Sequence, residues 1–248
     1  MMKFRPYVRG FTLAVCLGLA TTAHADWKSQ LESLLGGGAK SGPTALSDQD
    51  IVAGLKEALD QGARRAVDEL GQTDGFLSDA RVRIPMPPEL ETVESALRTL
   101  KQDRYADEFI VTMNRAAEAA VPEASAILGD AIRQMTVADA KQILNGPDDA
   151  ATQYFRRVGE ERLTTRMRPI VSEATSKTGV TSSYKTFMDK AGFAAKLAGA
   201  DSVDIDGYVT NRALDGLFLL IAAEEKRIRE NPLARSTDLL KMVFGGGQ

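Results

Sequence analysis

The chain is 248 residues long, with 31 Lys and Arg against 34 Asp and Glu and 44% hydrophobic residues. A mildly acidic balance with both signs interspersed argues against nucleic acid as a partner, since phosphate contacts need concentrated Lys and Arg. The single Cys (Cys16) and single His (His24) both fall in the first 25 residues, a stretch with the marks of a removable leader. A chain without them has no disulfide, no Ser-His-Asp or Cys-His nucleophile pair, and no zinc site of the usual His/Cys kind.

That leader begins with Lys3, Arg5 and Arg9, continues through an apolar run over 11–20, and ends at Ala23-His24-Ala25. The three-part pattern predicts a secretory signal peptide cleaved after Ala25, and a periplasmic address. The apolar run is too short to span a bilayer, which takes about 20 residues. Cys16 sits inside that run behind Val15 rather than after it behind a small residue, so lipid attachment is not expected. Cleavage removes three basic residues and no acids, taking the net charge from −3 to −6. What remains is long enough for one sizeable core, or at most two small ones.

Trp27, Leu31, Leu34 and Leu35 share one face of a short helix ended by Gly36-Gly37-Gly38. So short a helix does not hold alone in water; it must dock on its own bundle, a membrane surface or a partner. A Gly-rich linker follows to residue 46, and the bundle domain is expected over 47–245. Ser47 with Asp50 makes a capping-box start for a helix carrying Ile51, Leu55, Leu59, Ala66 and Leu70, with Gly71 as the stop.

Residues 80–85, Ala-Arg-Val-Arg-Ile-Pro, alternate with period two and predict one short β-like segment. A helix over 89–102 follows, burying Leu90, Val93, Leu97 and Leu100. The Ala-rich region over 105–135 carries Phe109, Met113, Ala116, Ala117 and Ala120 on one stripe. Pro122 should break it near Val121, with Ile127, Leu128, Ile132 and Met135 on the second piece.

Thr136 and Asp139 cap a short helix with Ile143 and Leu144, and Asn145-Gly146-Pro147 ends it and starts the next. Asp148 and Asp149 then fall in a first turn, where negative charge suits the helix dipole. Phe155, Val158, Leu163, Met167, Ile170 and Ala174 form the buried stripe of a long helix that Pro169 should bend. A shorter helix is predicted over 180–197, with Tyr184, Phe187 and Met188 inward. Asp204 or Asp206 caps the next, and Ser236 starts a last short one over 237–243.

The segment 214–223, LDGLFLLIAA, is the expected centre. It is apolar nearly all round, so it has no face to give to water, and it is too short to be a membrane span. The predicted fold is therefore all-α, a single bundle of roughly eight to ten helices.

Three patterns invite chemistry, and the first two fail on inspection. Aligning Asp201, Asp204, Asp206 and Gly207 as a calcium loop puts Ser202 first and Ala213 last, where Asp and Glu are required. Ser182 and Lys185 have an acyl-enzyme spacing with no further element of such a site. Arg156, Arg157, Arg162, Arg166 and Arg168 run along one helix with Glu160 and Glu161, a pattern of salt bridges with an anion cluster as the alternative. No metal and no cofactor is expected.

Asp215 is the sharper candidate. An acid in the most buried helix must be paired or neutral, and Arg115 or Arg156 could serve. A closed structural pair is one outcome; the functional alternative is that Asn114, Arg115, Glu118 and Asp215 converge on a polar pocket between the central helix and the 113–120 helix. Asp148, Asp149, Tyr154 and Arg156 complete the ligand-binding candidates.

ARVRIPMP (80–87), MNRAAEAAVPEA (113–124), ILNGPDDAATQYFR (143–156), YVTNRALDGLF (208–218), RIRENP (227–232) and TDLLKMVFG (237–245) together resemble one bacterial family, domain of unknown function 4197. The likeness runs from about Leu46 to Gly245. It implies an exported, mostly helical protein of Gram-negative bacteria and brings no activity or ligand with it. Three functions follow as expectations. The first is a periplasmic binding or interaction protein. The second is a hydrolase or transferase run on carboxylates, with Asp215, Glu118, Asp148 or Asp149 as acid or base. The third is a structural envelope partner docked through the helix at 27–35.

Overall fold

The computed structural model describes residues 47–177, 179–192 and 203–231. The expected leader, the helix at 27–35 and the helix at 237–243 lie outside them. The chain divides into two compact units, Met1–Ala45 and Leu46–Gln248, and the described residues belong to the second.

They form α-helices α1 (Asp48–Leu70), α2 (Glu91–Thr99), α3 (Asp103–Ala120), α4 (Ala124–Gln134), α5 (Val137–Leu144), α6 (Ala150–Lys177), α7 (Val180–Ala191) and α8 (Ile205–Glu230). The fold is all-α. Among the described residues no helix is long and apolar enough to cross a membrane.

The start signals work as read. Ser47 with Asp50, and Thr136 with Asp139, form complete capping boxes. The Asp204 side chain accepts from the Gly207 N–H at 2.9 Å to open α8. Pro122 does break the Ala-rich region, into α3 and α4 with one 3-10 turn, Val121–Glu123, between them. Pro169 is carried inside α6 without ending it.

α8 packs chiefly against α6 and α1; α3 packs against α6 and α7, and α4 against α1 and α6. One continuous core holds these elements together. Phe109 of α3 sits at its α7 side, with the rings of Phe187 and Tyr184 each at 5.5 Å. The helix predicted over 89–102 is shorter, a 3-10 turn at Pro88–Leu90 followed by α2. Leu100 falls beyond α2 and is 60% exposed. Val158 also lies outside, because the neighbours of α6 take the faces of Phe155 and Gly159.

The segment at 80–85 is the main departure in local structure. Its alternation is real, with Val82, Ile84 and Met86 buried and Arg81, Arg83 and Pro85 exposed. Among the described residues, however, no strand pairs with it. The loop from Gly71 to Pro87 instead runs into the core, burying Phe76 as well. A buried loop must place its backbone polar groups, and three helical side chains take them.

Asn114 accepts from the Ile84 N–H at 2.9 Å and donates to the Ile84 carbonyl at 2.9 Å, as a neighbouring strand would. Glu118, one turn on, accepts from the N–H groups of Phe76 and Leu77 at 3.2 and 3.3 Å. The Tyr208 hydroxyl donates to the Pro85 carbonyl at 3.2 Å.

α8 approaches this loop through Gly216, where a Cβ would lie 2.8 Å from the edge of the buried Phe76 ring and 3.2 Å from Val82. Gly216→Ala is therefore expected to destabilise by about 1–3 kcal/mol, the usual cost of overpacking. Gly62 in α1 meets nothing closer than Glu224 Cβ at 3.6 Å. Gly62→Ala should gain about 0.5–1 kcal/mol from helix propensity. Urea melts of the two variants should shift in opposite directions; equal shifts would remove the close-approach account.

Candidate functional site

The predicted pocket between the central helix and the 113–120 helix does not assemble. Asn114 and Glu118 are buried on one face of α3, one turn apart, with their hydrogen bonds spent on the loop. Asn114 also donates to the Ile110 carbonyl at 2.8 Å. Arg115 joins them by donating to Glu118 at 2.7 Å and to Asp74 at 2.6 Å, and these two carboxylates hold its guanidinium above the usual arginine range. The group is a clamp on the 71–87 loop.

Asp215 corrects the expectation most directly. It is on the surface, its side chain 59% exposed, with Arg156 at 3.5 Å. Arg156 is one of the two partners expected, but the pair lies outside the core. The α8 segment is not apolar all round: Asn211, Arg212, Asp215, Leu219, Ala223 and Lys226 face solvent on one arc. Arg156 lies over the Phe218 ring at 4.3 Å and bonds Glu160 at 3.0 Å.

The acid that α8 does bury is Glu225, at 6% exposure. It accepts from the Ala151 N–H at 2.9 Å, and from the Thr152 N–H and hydroxyl, both at 3.1 Å. It thus caps α6 from another helix, in the position expected for Asp148 and Asp149. Those two lie exposed in the turn just before α6, where Asp149 accepts from Gln153 at 2.9 Å. Arg229 completes the clamp, donating to Glu225 at 2.9 Å and to the Ile143 carbonyl at 2.8 Å. Neither Glu225 nor Arg229 is marked as a clamp by a local sequence pattern, since their partners lie on α6 and at the end of α5.

The arginine run of α6 is a set of struts to other elements. Arg156 reaches Asp215 of α8, Arg157 Asp139 of α5, Arg162 Asp130 of α4, and Arg168 Asp204 at the start of α8. For these four arginines the salt-bridge reading holds, with the partners on other elements as well as along the helix. Asp204 is held below the usual carboxylate range chiefly by the Gly207 N–H, against the opposing effect of burial and with Arg168 adding to the lowering. It serves as a cap, as Asp206 serves Thr175, whose hydroxyl donates to it at 2.7 Å. Among the described residues no cluster of carboxylates has the geometry of a metal site.

A cleft of about 610 Å³ opens elsewhere, at the corner between α5 and α6. Lys141 and Gln142 stand on the α5 wall, Gln153, Tyr154 and Arg157 on the α6 wall, and Asn145-Gly146-Pro147 closes the end. Gly146 makes the corner tight: a Cβ there would lie 2.7 Å from Ala150 Cβ and 2.8 Å from the Gln142 carbonyl.

Tyr154 presents its ring; its hydroxyl donates to the buried Ala131 carbonyl at 3.0 Å, and burial pushes its pKa up. Lys141 bonds Asp48 at 2.7 Å, and Arg157 stands 3.7 Å from Asp139. The hydroxyl and N–H of Thr136, more than Arg157, hold Asp139 below the usual carboxylate range. Of the sequence candidates only Tyr154 lines this cleft. Arg157 belongs to the arginine run read as salt bridges or an anion cluster, and no functional expectation attaches to the other lining residues.

The family model described as "Protein of unknown function (DUF4197)" matches residues 45–245. The chain belongs to the DUF4197 family. Searches of curated proteins and of solved structures find no match to it. DUF4197 membership brings no activity with it, so the described residues carry the functional argument.

Proposed function

We propose that this DUF4197 protein is an exported, non-enzymatic binding protein whose ligand seats in the cleft between α5 and α6. Export rests on the leader pattern of residues 1–25. The cleft carries the binding reading: it has two cations, three side-chain amides and an aromatic ring, and no Asp or Glu among its described lining residues.

The carboxylates speak against acid–base catalysis by where they go. Glu118 and Glu225 are closed on backbone N–H groups and arginines. Asp215 pairs with Arg156 on the surface, and Asp148 and Asp149 stand outside the cleft lining. A hydrolytic pair needs two carboxyl groups facing one substrate site.

The test is mass spectrometry of what stays bound to the protein purified from its native envelope. Ala138→Trp and Gln153→Trp, which fill the cleft from exposed positions, should lose the bound species. Turnover of ester, phosphoester and glycoside substrates should match buffer. Retention of the same species by both blocked variants, or turnover abolished by Asp148→Asn with Asp149→Asn, would overturn the proposal.

A further inference from the structure

The two walls of the cleft carry one cation each, Lys141 from α5 and Arg157 from α6. Both are partly satisfied inside the protein, and by contacts that leave donors to spare. Lys141 has three N–H donors and gives one to Asp48, on a side chain half exposed to solvent. Arg157 has five donors in a planar fork, and its carboxylate partner Asp139 stands at the long distance of 3.7 Å. Asp139 meanwhile accepts from the Thr136 hydroxyl at 2.6 Å and N–H at 3.1 Å through Oδ2, which anchors the carboxylate at the start of α5 with its other oxygen, Oδ1, the one 3.7 Å from the guanidinium.

The N–H groups that an anion would otherwise seek at the start of α6 are taken, since Glu225 holds those of Ala151 and Thr152. A negative ligand at this corner must therefore be recognised by side chains. The lining also holds Gln142, Asn145 and Gln153; Asn145 gives one amide N–H to the Lys141 carbonyl and Gln153 one to Asp149, and each amide keeps a second N–H and its oxygen, the pattern that a peptide backbone answers. The cleft is open along the helix corner, whereas sites for small metabolites enclose most of the ligand's surface.

We propose that the cleft recognises an acidic polypeptide segment, with Lys141 and Arg157 taking carboxylates from opposite walls and the side-chain amides pairing with its backbone. This rests on the cleft being the binding site. A ligand carboxylate competes with Asp48 for Lys141 and with Asp139 for Arg157, so the internal partners set the affinity from within.

That competition supplies a decisive pair of variants. Lys141→Ala and Asp48→Asn break the same ion pair, and a purely structural role for that pair would make both act alike. As a recognition residue, Lys141 should act opposite to Asp48. The probe is a fluorescein-labelled tetraglutamate peptide, read by fluorescence anisotropy at low salt on the chain beginning at Asp26. Backbone amide NMR shifts locate the peptide.

Tetraglutamate should shift the amides of 141–157, bind more weakly as salt rises, and outcompete inorganic phosphate at equal concentration. Lys141→Ala and Arg157→Ala should each weaken binding about two- to five-fold, and Asp48→Asn should strengthen it about two- to five-fold, the range of single exposed charge pairs. Equal binding of labelled tetralysine, weakening by Asp48→Asn, or shifts centred away from 141–157 would overturn the proposal. Phosphate displacing the peptide as well as glutamate does would show that the site reads charge alone, and would overturn the polypeptide part. If the peptide fails while the tryptophan-blocked variants still lose their native ligand, this inference falls and the binding reading stands.

Discussion

Glu225→Ala is expected to cost about 3–5 kcal/mol of folding stability, the range for removing one partner of a buried ion pair. Three donors at the start of α6 lose their acceptor, and Arg229, whose side chain is only 15% exposed, loses its carboxylate while keeping its charge and its bond to the Ile143 carbonyl. The loss concentrates where α6, α8 and the end of α5 meet, so it also loosens the corner that forms the cleft. Glu225→Gln keeps one good acceptor and should recover part of the loss. Asp215→Ala is the control. Its pair with Arg156 is exposed and 3.5 Å long, and exposed pairs are worth about 0–1 kcal/mol. Urea melts of the three variants check the ranking; a Glu225→Ala loss no larger than that of Asp215→Ala would remove the clamp from the account.

The contrast between those two acids also shows what is legible in the sequence. The all-α class, both capping boxes and the break at Pro122 follow from local chemistry, and each is present. Reading 214–223 as a run rather than a wheel places the wrong acid inside. At about 100° per residue, Arg212, Asp215, Leu219, Ala223 and Lys226 fall on one line of the helix. Leu214, Leu217, Phe218, Ile221, Glu225 and Ile228 fall on the opposite one. Glu225 therefore lies on the buried stripe and Asp215 on the exposed one, a distinction that Leu219 hides by being apolar on the wet side. The pairing of Glu225 with Ala151 spans 74 residues and is out of reach of any local pattern.

The polar residues of α3 illustrate the same limit. Asn114 and Glu118 in an Ala-rich helix look like the lining of a pocket, because their local partners, the Ile110 carbonyl and Arg115, leave part of each side chain's bonding capacity unused. What needs them lies 30 and 42 residues upstream, at Ile84 and Phe76. The period-two alternation of 80–85 is likewise a true signal of one buried edge, and only its partner differs from expectation. Arg157 and Lys141 escape notice as a pair for another reason: they face each other only because Gly146 and Pro147 fold α5 back beside α6.

Asn114→Leu should cost about 2–6 kcal/mol, since it leaves both the N–H and the carbonyl of Ile84 buried without a partner, at about 1–3 kcal/mol each. Leucine matches asparagine closely enough in shape to keep the cavity small, so the loss reports hydrogen bonding rather than packing. Amide hydrogen exchange gives a local reading of the same bond. Ile84 should be protected in the wild type, without any sheet around it, and should exchange far faster in Asn114→Leu.

Asn114→Asp adds a sign. Its carboxylate can still accept from the Ile84 N–H, but its second oxygen then faces the carbonyls of Ile84 and Ile110, where Asn114 donates at 2.9 and 2.8 Å. Protonation restores a donor there, so the folded state raises the pKa of the new acid above its unfolded value of about 3.9. The stability deficit relative to wild type should therefore shrink as pH falls through the raised folded value and be smallest below the unfolded one. A deficit that stays constant between pH 8 and pH 4 would show that Ile84 does not depend on a donor from α3.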